Sequence, residues 1–414
     1  MAVKYTTLKS IPDYVYQDLN YPREGKCSDI VLVKRSDCDA YYEAAYACFQ
    51  MLDAAAEFVI QHNKLSDVGI PEFMHDIIKK TYYDATNHPH MLGRFDFAGG
   101  IDGYPIKLIE FNADTPFSIF ETSAVQYALC KAAGLDPDNK QYNTVYEELI
   151  AFFKYMQQMY PDANDMFFTN HNDGEDDLNT ALIMEAAKDA GVTGIHKHWT
   201  DIAVDDRYNV VAVEGVAIDK SHTGETLYNI KTINHLVKMV PWDLICTYDE
   251  NSIKQAKDIV RCLTLRPEIT ISNPPYAMLY QSKALLAVMY EMFSESKYLL
   301  KTKLVDKDYN DTTSHVLKPV FGREGQNITI VQDETTTECT NGYYNESSIV
   351  VAQELAEFPK DEENRCYQAG VFISMETPCG ISFRRSQPHK TIITTDDDLC
   401  GHIINYEDYD DCDD

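Results

Sequence analysis

The sequence is short of positive charge. It has 36 lysines and arginines against 66 aspartates and glutamates, which gives a formal net charge of −30. A nucleic-acid binder needs clustered lysine and arginine for phosphate contacts, and anionic membranes attract the same residues. We therefore expect neither partner. The negative charge would suit a cationic substrate such as a polyamine, although solubility alone also explains an acidic surface.

Long apolar runs and patterned cysteines are also missing. No stretch approaches the roughly 18 uninterrupted apolar residues of a transmembrane helix. The first residues, Met1 to Pro12, carry no secretory signal pattern. The 11 cysteines form no Cys-x-x-Cys pair and no zinc-type cluster. Scattered cysteines of this kind are typical of reduced thiols, so we expect a cytoplasmic protein.

Several familiar site motifs are absent. There is no Gly-Lys-Ser/Thr of a Walker loop and no Gly-x-Ser-x-Gly nucleophile elbow. Two His-x-His pairs occur, His88/His90 and His196/His198. In strands each pair would share a face, but neither has an evident third ligand, so we predict no metal site there.

The hydrophobic pattern predicts a mixed α+β and α/β protein. Apolar residues recur at helical spacing from Asp39 to His62, and a glycine-rich loop separates two strand-like segments, 91–98 and 106–111. Strands and helices then alternate from 165 to 263, with a strand expected over Asp243 to Thr247. This alternation favours an α/β layer with a partly parallel sheet. Short strands dominate after residue 315.

The two strand-like segments carry the first candidate site. Side chains alternate faces along a strand, so Arg94 and Asp96 share one face, as do Glu110 and Asn112. If the strands pair, one face collects an arginine, two carboxylates and an amide. Mg²⁺ prefers such oxygen ligands, and an arginine beside them can hold a phosphoryl group. The alternative is the solvated face of an amphipathic hairpin.

Two lysines could bind phosphate. Lys318 ends a predicted strand just before the turn Gly322-Arg323-Glu324-Gly325, whose backbone N–H groups could point at phosphate oxygens. Lys283 lies near a predicted helix start, a position that suits a bound anion. The alternatives are an ordinary strand–loop–strand for Lys318 and a surface lysine for Lys283. The acidic run Asp173 to Asp177 begins another predicted helix, where the helix dipole favours acids whatever their function.

In combination these stretches resemble the synthetase domain of the glutathionylspermidine synthase family, which belongs to the ATP-grasp ligases. The order and spacing match from about residue 30 to 405, and the amidase domain of two-domain members has no counterpart. The resemblance rests on the segments Arg94-Phe95-Asp96-Phe97-Ala98, Lys107 to Pro116, Ser282 to Leu286, Leu317 to Gly325, Gln353-Glu354-Leu355 and Gly380 to Arg384.

The resemblance implies a role for each matching residue. Asp96, Glu110 and Asn112 would hold two Mg²⁺ ions, and Arg94 would contact the γ-phosphate. The implied ATP-binding residues are Lys283, Lys318, Gly322, Arg323, Glu324, Gly325, Gln353, Glu354, Leu355, Gln368 and Ile393. The implied substrate residues are Thr115, Arg384 and an acidic pair that falls on Glu175, Asp176 or Asp177. These substrate positions match the family less closely than the metal and nucleotide positions.

The resemblance also implies an architecture. Because the metal residues precede the nucleotide lysines, we expect a circularly permuted ATP-grasp with a pre-ATP-grasp-like α/β substrate domain. The expected segments are a helical part packed on the ATP-grasp core (1–90), the metal-binding hairpin with helices (91–160), the α/β domain (161–270), the nucleotide-binding region (271–405) and an acidic tail (406–414).

The implied activity is an ATP-dependent ligase that joins a small acid, such as a peptide, to an amine, such as a polyamine, through an acyl phosphate. The alternatives are a non-catalytic ATP-binding or regulatory protein and phosphotransfer to a hydroxyl. The acid, the amine and the oligomeric state stay open.

Overall fold

The computed structural model describes residues 2–7, 29–161, 163–171, 174–218, 226–247, 249–306, 309, 311–342, 349–394 and 397–405. The expected acidic tail, 406–414, lies outside these described residues. The strands are β1 (Tyr5–Thr7), β2 (Asp29–Val33), β3 (Gly93–Ala98), β4 (Lys107–Asn112), β5 (Asp165–Asn170), β6 (Thr193–His198), β7 (Ile202–Val204), β8 (Val210–Ile218), β9 (Thr226–Thr232), β10 (His235–Lys238), β11 (Thr270–Ser272), β12 (Thr302–Asp306), β13 (His315–Pro319), β14 (Thr329–Gln332), β15 (Thr335–Cys339), β16 (Ile349–Glu354), β17 (Tyr367–Ser374), β18 (Thr377–Arg385) and β19 (Asp398–Ile404).

Helices alternate with these strands along much of the chain. They are α1 (Arg35–Gln61), α2 (His75–Tyr83), α3 (Gln126–Ala132), α4 (Pro137–Lys140), α5 (Val145–Met159), α6 (Gly174–Asp189), α7 (Trp242–Thr247), α8 (Glu250–Leu265), α9 (Ala277–Gln281) and α10 (Ala284–Phe293). A π-helical turn, Glu121–Val125, leads into α3. None of the described helices is both long and apolar enough to cross a membrane.

The chain forms two compact units. The first unit comprises Met1–Gly69, Gly93–Val145 and Tyr280–Asp414. The second unit comprises Ile70–Leu92 and Tyr146–Leu279. Each unit combines helices with its own sheets, so the mixed α/β class predicted from the hydrophobic pattern is confirmed.

A seven-stranded sheet forms the core of the first unit, in the order β1-β2-β19-β18-β17-β3-β4. All residues of β3 and β17, near one end of this order, are buried. Phe95 of β3 stacks on Phe111 of β4 with ring centroids 4.0 Å apart. Such aromatic pairs add roughly 0.5–1.5 kcal/mol beyond the burial of their area. The apolar face of the hairpin therefore anchors β3 and β4 in register.

Helix α1 covers this sheet because its apolar residues recur every three or four positions. Asp37 in its first turn accepts a hydrogen bond from the backbone N–H of Lys34 at 3.1 Å, which satisfies an otherwise unpaired donor. The helix ends before Asn63. This residue has a positive φ of 55°, a conformation that asparagine tolerates better than most residues. On the buried side, Tyr41 packs against Phe97 and Phe383.

A second, five-stranded antiparallel sheet of the first unit has the order β12-β16-β13-β14-β15. It meets strand β4 through long side chains. Lys318 of β13 donates to the carbonyl of Ile109 at 3.4 Å, and Gln353 of β16 donates to the carbonyl of Leu108 at 3.4 Å. The polar end of the β3–β4 hairpin is thus brought next to β13 and β16.

The second unit contains a four-stranded parallel sheet, β11-β10-β5-β6, and a three-stranded antiparallel sheet, β7-β8-β9. The predicted partly parallel sheet is confirmed. The predicted strand over Asp243 to Thr247 is wrong, since this segment is helix α7. Trp242, Ile245 and Cys246 are buried at helical spacing, and the Thr247 hydroxyl donates to the carbonyl of Asp243 at 2.7 Å. A short apolar run does not reveal its period in sequence.

Candidate active site

The predicted polar face of the β3–β4 hairpin exists. Arg94 lies opposite Asn112, and Asp96 lies opposite Glu110. The Asn112 amide donates to Asp96 at 3.1 Å and lies 3.5 Å from Glu110. Arg94 and Asp96 are only 5% and 2% exposed, so their face is not the solvated side of a hairpin. Burial of so many polar groups is unfavourable unless they are paired or used.

Arg94 and Asp96 form a bidentate pair. Nε of Arg94 donates to Oδ1 of Asp96 at 2.6 Å, and Nη2 donates to Oδ2 at 3.0 Å. The remaining arm, Nη1, donates to the carbonyl of Phe117 at 2.6 Å. Burial opposes the charge of Arg94, but Asp96, Glu110 and Glu121 outweigh it and raise the pKa of the guanidinium. Arg94 is therefore a fixed, permanently charged group facing three carboxylates.

Gly370 of β17, which the sequence analysis did not single out, makes room for this arginine. It pairs with Asp96 across the β17–β3 ladder. A Cβ at Gly370 would lie 2.9 Å from Cδ of Arg94. Glycine inside a buried strand often marks such a close approach, and that signal was available in the sequence.

We expect Gly370→Ala to lower turnover by on the order of ten- to a hundredfold, because a displacement of about 1 Å at a reacting group has effects of that size. The cause is a shift of Arg94, so the loss should appear in kcat more than in the unfolding temperature. Gly174→Ala is the matched control, since no atom of the described residues lies within 4 Å of its added Cβ. Equal turnover in both variants would contradict this role for Gly370.

Lys283 approaches the same face from the start of α10, where it occupies the N-cap position. Its ammonium lies 3.2 Å from Oε2 of Glu110 and donates to the carbonyl of Gly322 at 2.8 Å. Burial would raise the pKa of Glu110, but Lys283 first and Lys318 next lower it to about 2. Glu110 is therefore ionised at every physiological pH.

Lys318 is buried beside the same carboxylates. Its ammonium donates to Oε1 of Gln353 at 2.7 Å and to the carbonyl of Ile109 at 3.4 Å. Burial lowers the pKa of Lys318 to about 8, and Glu110 offsets only part of that effect. A buried lysine with a pKa this low is typical of a functional site that binds an anion.

The turn after β13, residues 322–325, reverses the chain tightly. Glu324 and Gly325 both have positive φ, 58° and 68°. A Cβ on Gly325 would lie 2.4 Å from the carbonyl oxygen of Ile393, so the turn packs against that segment. Arg323 accepts a backbone hydrogen bond from Gln326 at 2.9 Å, and the carboxylate of Glu324 accepts one from the Gln326 side chain at 3.1 Å.

The remaining predicted nucleotide residues surround this turn and the second sheet. Gln353 is fully engaged with Lys318 and Leu108. Glu354 is exposed and accepts from the backbone N–H of Lys301 at 3.2 Å. Leu355 packs on a small apolar cluster that includes Ile392.

The predicted substrate residues of the first unit lie on the large sheet and next to β4. Arg384 of β18 pairs with Gln368 of β17 and donates to the carbonyl of Thr394 at 2.6 Å, one residue after Ile393. Thr115 is buried just beyond the end of β4. The side chain of Gln281 accepts hydrogen bonds from the backbone N–H groups of Ala113 and Asp114 at 2.7 and 3.2 Å, and these bonds fix the chain that leads to Thr115.

The predicted acidic substrate residues lie in the second unit, in the first turn of α6. Asp176 is buried and Asp177 is exposed. Asp177 accepts a hydrogen bond from Asn170 at 2.8 Å. The side chain of Glu175 and the whole of Asp173 lie outside the described residues.

The donor set of the β3–β4 face fits Mg²⁺. Asp96, Glu110 and Asn112 offer oxygen atoms, and Glu110 is held as a carboxylate. In the structure the positive charges of Arg94 and Lys283 contact these same oxygens. Hard oxygen donors near fixed cations are what a magnesium–phosphate complex requires.

The known proteins that match this chain in sequence carry the names of ligases or synthetases. The chain is 26% identical over 280 residues to the "Putative acid--amine ligase" of Haemophilus influenzae, covering 67% of this chain and 64% of that protein. It is 23% identical over 312 residues to the bifunctional glutathionylspermidine synthetase/amidase of Escherichia coli, covering 73% of this chain and 48% of that protein. For trypanothione synthetase of Crithidia fasciculata the figures are 20% over 336 residues, 78% and 49%. The matched part of the chain thus spans about half to two thirds of the length of these relatives.

A solved structure and a family model complete the comparison. The apo structure of a glutathione synthetase-like effector from Globodera pallida aligns with a TM-score of 0.50 at 11% identity, covering 91% of this chain and 89% of that one, which shows a shared fold. The family model for the glutathionylspermidine synthase preATP-grasp region matches residues 14–405. The chain therefore belongs to the glutathionylspermidine synthase family.

Proposed function

We propose that the protein is an ATP-dependent acid–amine ligase, and that the β3–β4 face with Lys283 and Lys318 binds MgATP. The observation that carries this proposal is the convergence of an arginine, two lysines and two carboxylates in the first unit. Buried charges gathered this way are unfavourable for folding alone. The names of the relatives support the same reaction class.

Mg²⁺ and nucleotide would occupy different parts of this site. Asp96, Glu110 and Asn112 would hold the metal, and we propose that two Mg²⁺ ions bind there. Lys283, Lys318 and the Gly322–Gly325 turn would bind the phosphates. Gln353, Glu354, Leu355, Gln368 and Ile393 would contact the rest of the nucleotide. Bound Mg²⁺ would neutralise charge on the phosphate oxygens.

The protein's own residues would position and stabilise the transferring phosphoryl group. A substrate carboxylate would attack the γ-phosphate, release ADP and form an acyl phosphate. An amine would then attack the acyl carbon, lose a proton and displace inorganic phosphate to give an amide. Arg94, already fixed by Asp96 and the Phe117 carbonyl, would hold the γ-phosphate and then the acyl phosphate. Such transfer depends on positioning and preorganised charge.

The two units would divide this work. We propose that the first unit is a circularly permuted ATP-grasp, with the metal hairpin ahead of the nucleotide lysines in sequence. The second unit would be the pre-ATP-grasp-like α/β domain. Thr115 and Arg384 would contact the acid substrate, and acids of the first turn of α6 would contact a cationic amine.

A screen of paired carboxylates and amines tests the activity. We expect MgATP to raise the unfolding temperature and one acid–amine pair to release ADP with formation of the amide, detected by mass. Binding without ADP release across the panel would favour the alternative, a non-catalytic ATP-binding protein. A phosphorylated alcohol instead of an amide would indicate phosphotransfer to a hydroxyl.

The low pKa of Lys318 predicts a pH dependence. The side chain is charged below about pH 8 and neutral above it, and Glu110, Asp96 and Lys283 are the ionisable groups acting on it. Since phosphate binding uses the charged form, kcat/KM for ATP should fall about tenfold per pH unit above that value. In Lys318→Arg this fall should move to higher pH, because guanidinium stays charged. An identical profile in both enzymes would contradict the assignment.

A further inference from the structure

Three potential metal ligands lie together in the second unit. His196 and His198 point from one face of β6, near its carboxyl end, and Asp177 lies in the first turn of α6. One ligand atom from each residue lies within 4.8 Å of the others. This His-x-His pair has no evident third ligand in the sequence, and the β5–α6–β6 crossover supplies one. Open α/β sheets bind ligands at this edge.

Asn170, the last residue of β5, connects the three side chains. Its Nδ2 donates to Oδ1 of Asp177 at 2.8 Å, and its Oδ1 contacts Nε2 of His196 at 2.7 Å. Because Oδ1 is an acceptor, Nε2 of His196 carries the proton and Nδ1 keeps its lone pair. Orienting hydrogen bonds of this kind are the usual support of metal-binding histidines.

The two imidazoles lie close enough together to reach one ion. Their rings are 5.0 Å apart in an edge-on arrangement. Nδ1 of His198 is buried and has no hydrogen-bond partner within the described part of the chain.

We propose that Asp177, His196 and His198 bind a divalent transition metal ion, with Zn²⁺ as the expected occupant. Two imidazoles and one carboxylate suit zinc-type ions, whereas Mg²⁺ prefers an all-oxygen shell. Three protein ligands leave a coordination position for water or another small ligand.

Geometry and electrostatics permit this occupant. Zn–ligand bonds of about 2.0–2.1 Å place tetrahedral ligand atoms roughly 3.3 Å apart, so side-chain shifts of about 1 Å close the cluster. The α6 dipole disfavours a cation near its N-terminus, but the effect of the dipole is weak and is screened at an exposed position. Direct coordination by two imidazoles and a carboxylate outweighs it.

This centre consists of residues of the second unit, whereas the proposed MgATP site consists of residues of the first unit. It assigns Asp177 to a metal ion, which removes that carboxylate from the candidates for amine binding. Metal binding can be measured without ATP, acid or amine. A failure of the ligase assignment and a failure of this inference are therefore distinguishable.

The test is a titration of the chelator-treated full-length chain with Co²⁺ in excess Mg²⁺, followed by visible absorption. We expect one equivalent of Co²⁺ to bind, to be displaced by Zn²⁺, and to be lost in His196→Ala and His198→Ala. His62→Ala, which removes an exposed histidine of the first unit, is the matched control and should bind normally. Asn170→Ala should weaken binding about ten- to a hundredfold.

Thermal unfolding separates metal binding from folding defects. Zn²⁺ should raise the unfolding temperature of the wild type but not of His196→Ala, while the metal-free proteins unfold alike. An unchanged cobalt spectrum and affinity in both histidine variants, or no binding by the wild type, would overturn the proposal.

Discussion

Replacing Asp96 with asparagine is expected to lower ADP formation by on the order of 10²-fold or more, and Glu110→Gln should have a similar effect. Each change keeps the side chain's shape and removes one charge from the proposed metal site. Asp96 accepts two hydrogen bonds from Arg94, and Glu110 lies 3.2 Å from Lys283. Steady-state ADP release, normalised to folded protein, measures the loss.

Asp361→Asn is the matched control for Asp96→Asn. Asp361 is also buried and also paired with an arginine, since Nε of Arg365 donates to it at 2.7 Å, but it lies outside the proposed site. Breaking such a pair destabilises a protein without touching chemistry. We expect the control to unfold at lower temperature and to retain ADP formation. Wild-type turnover in Asp96→Asn would remove the basis of the assignment.

Lys318→Met is expected to weaken MgATP binding at least tenfold without lowering the stability of the free protein. The depression of the Lys318 pKa from 10.5 to about 8 corresponds to on the order of 3 kcal/mol against the buried charge. Removing the charge recovers that amount, while Gln353 loses its partner at about 1–3 kcal/mol. The two effects roughly cancel, so only ligand affinity should change.

Lys238→Met serves as the control, because Lys238 is another fully buried lysine, located in the second unit. Its ammonium donates to the carbonyl of Val240 at 3.0 Å and lies over the ring of Trp242. The affinity of Lys238→Met for MgATP, measured by calorimetry, should equal that of the wild type. Equal affinity in wild type and Lys318→Met would show that this lysine has no phosphate role.

The hairpin could be predicted from sequence because its information is local. Alternation of Arg94 and Asp96 with apolar residues sets which side chains share a face, and the glycine-rich loop sets the reversal. Burial of that face could not be predicted. It depends on β17, whose Gly370 is 276 positions further along the chain than Arg94 and whose pairing leaves no local signal.

Lys283 and Lys318 also show that long-range contacts cannot be predicted from local sequence. Each was recognisable as a cation near a loop or a helix start, with an ordinary structural role as the alternative. Their meeting at Glu110 depends on long-range packing of β13, β16 and α10 around the hairpin. The family resemblance, rather than spacing, joined Lys283 and Lys318 to one site. Their low exposure in the structure now separates them from ordinary surface lysines.

In the second unit, a group of potential metal ligands could not be predicted because its members are far apart in sequence. Strand β6 was not predicted from the sequence, so the shared face of His196 and His198 next to α6 was not predicted either. Helix α6 separates them from Asp177 by 19 and 21 positions, so only the parallel pairing of β5 with β6 brings the ligands together. A His-x-His pair after a predicted βα unit was the available signal.

Transfer of ¹⁸O tests the central claim most directly. The acid identified in the screen is labelled with ¹⁸O in its carboxylate and turned over with MgATP and the amine. If the carboxylate attacks the γ-phosphate, one ¹⁸O must appear in inorganic phosphate for each amide and each ADP formed. Unlabelled phosphate at full amide yield would contradict the acyl-phosphate account.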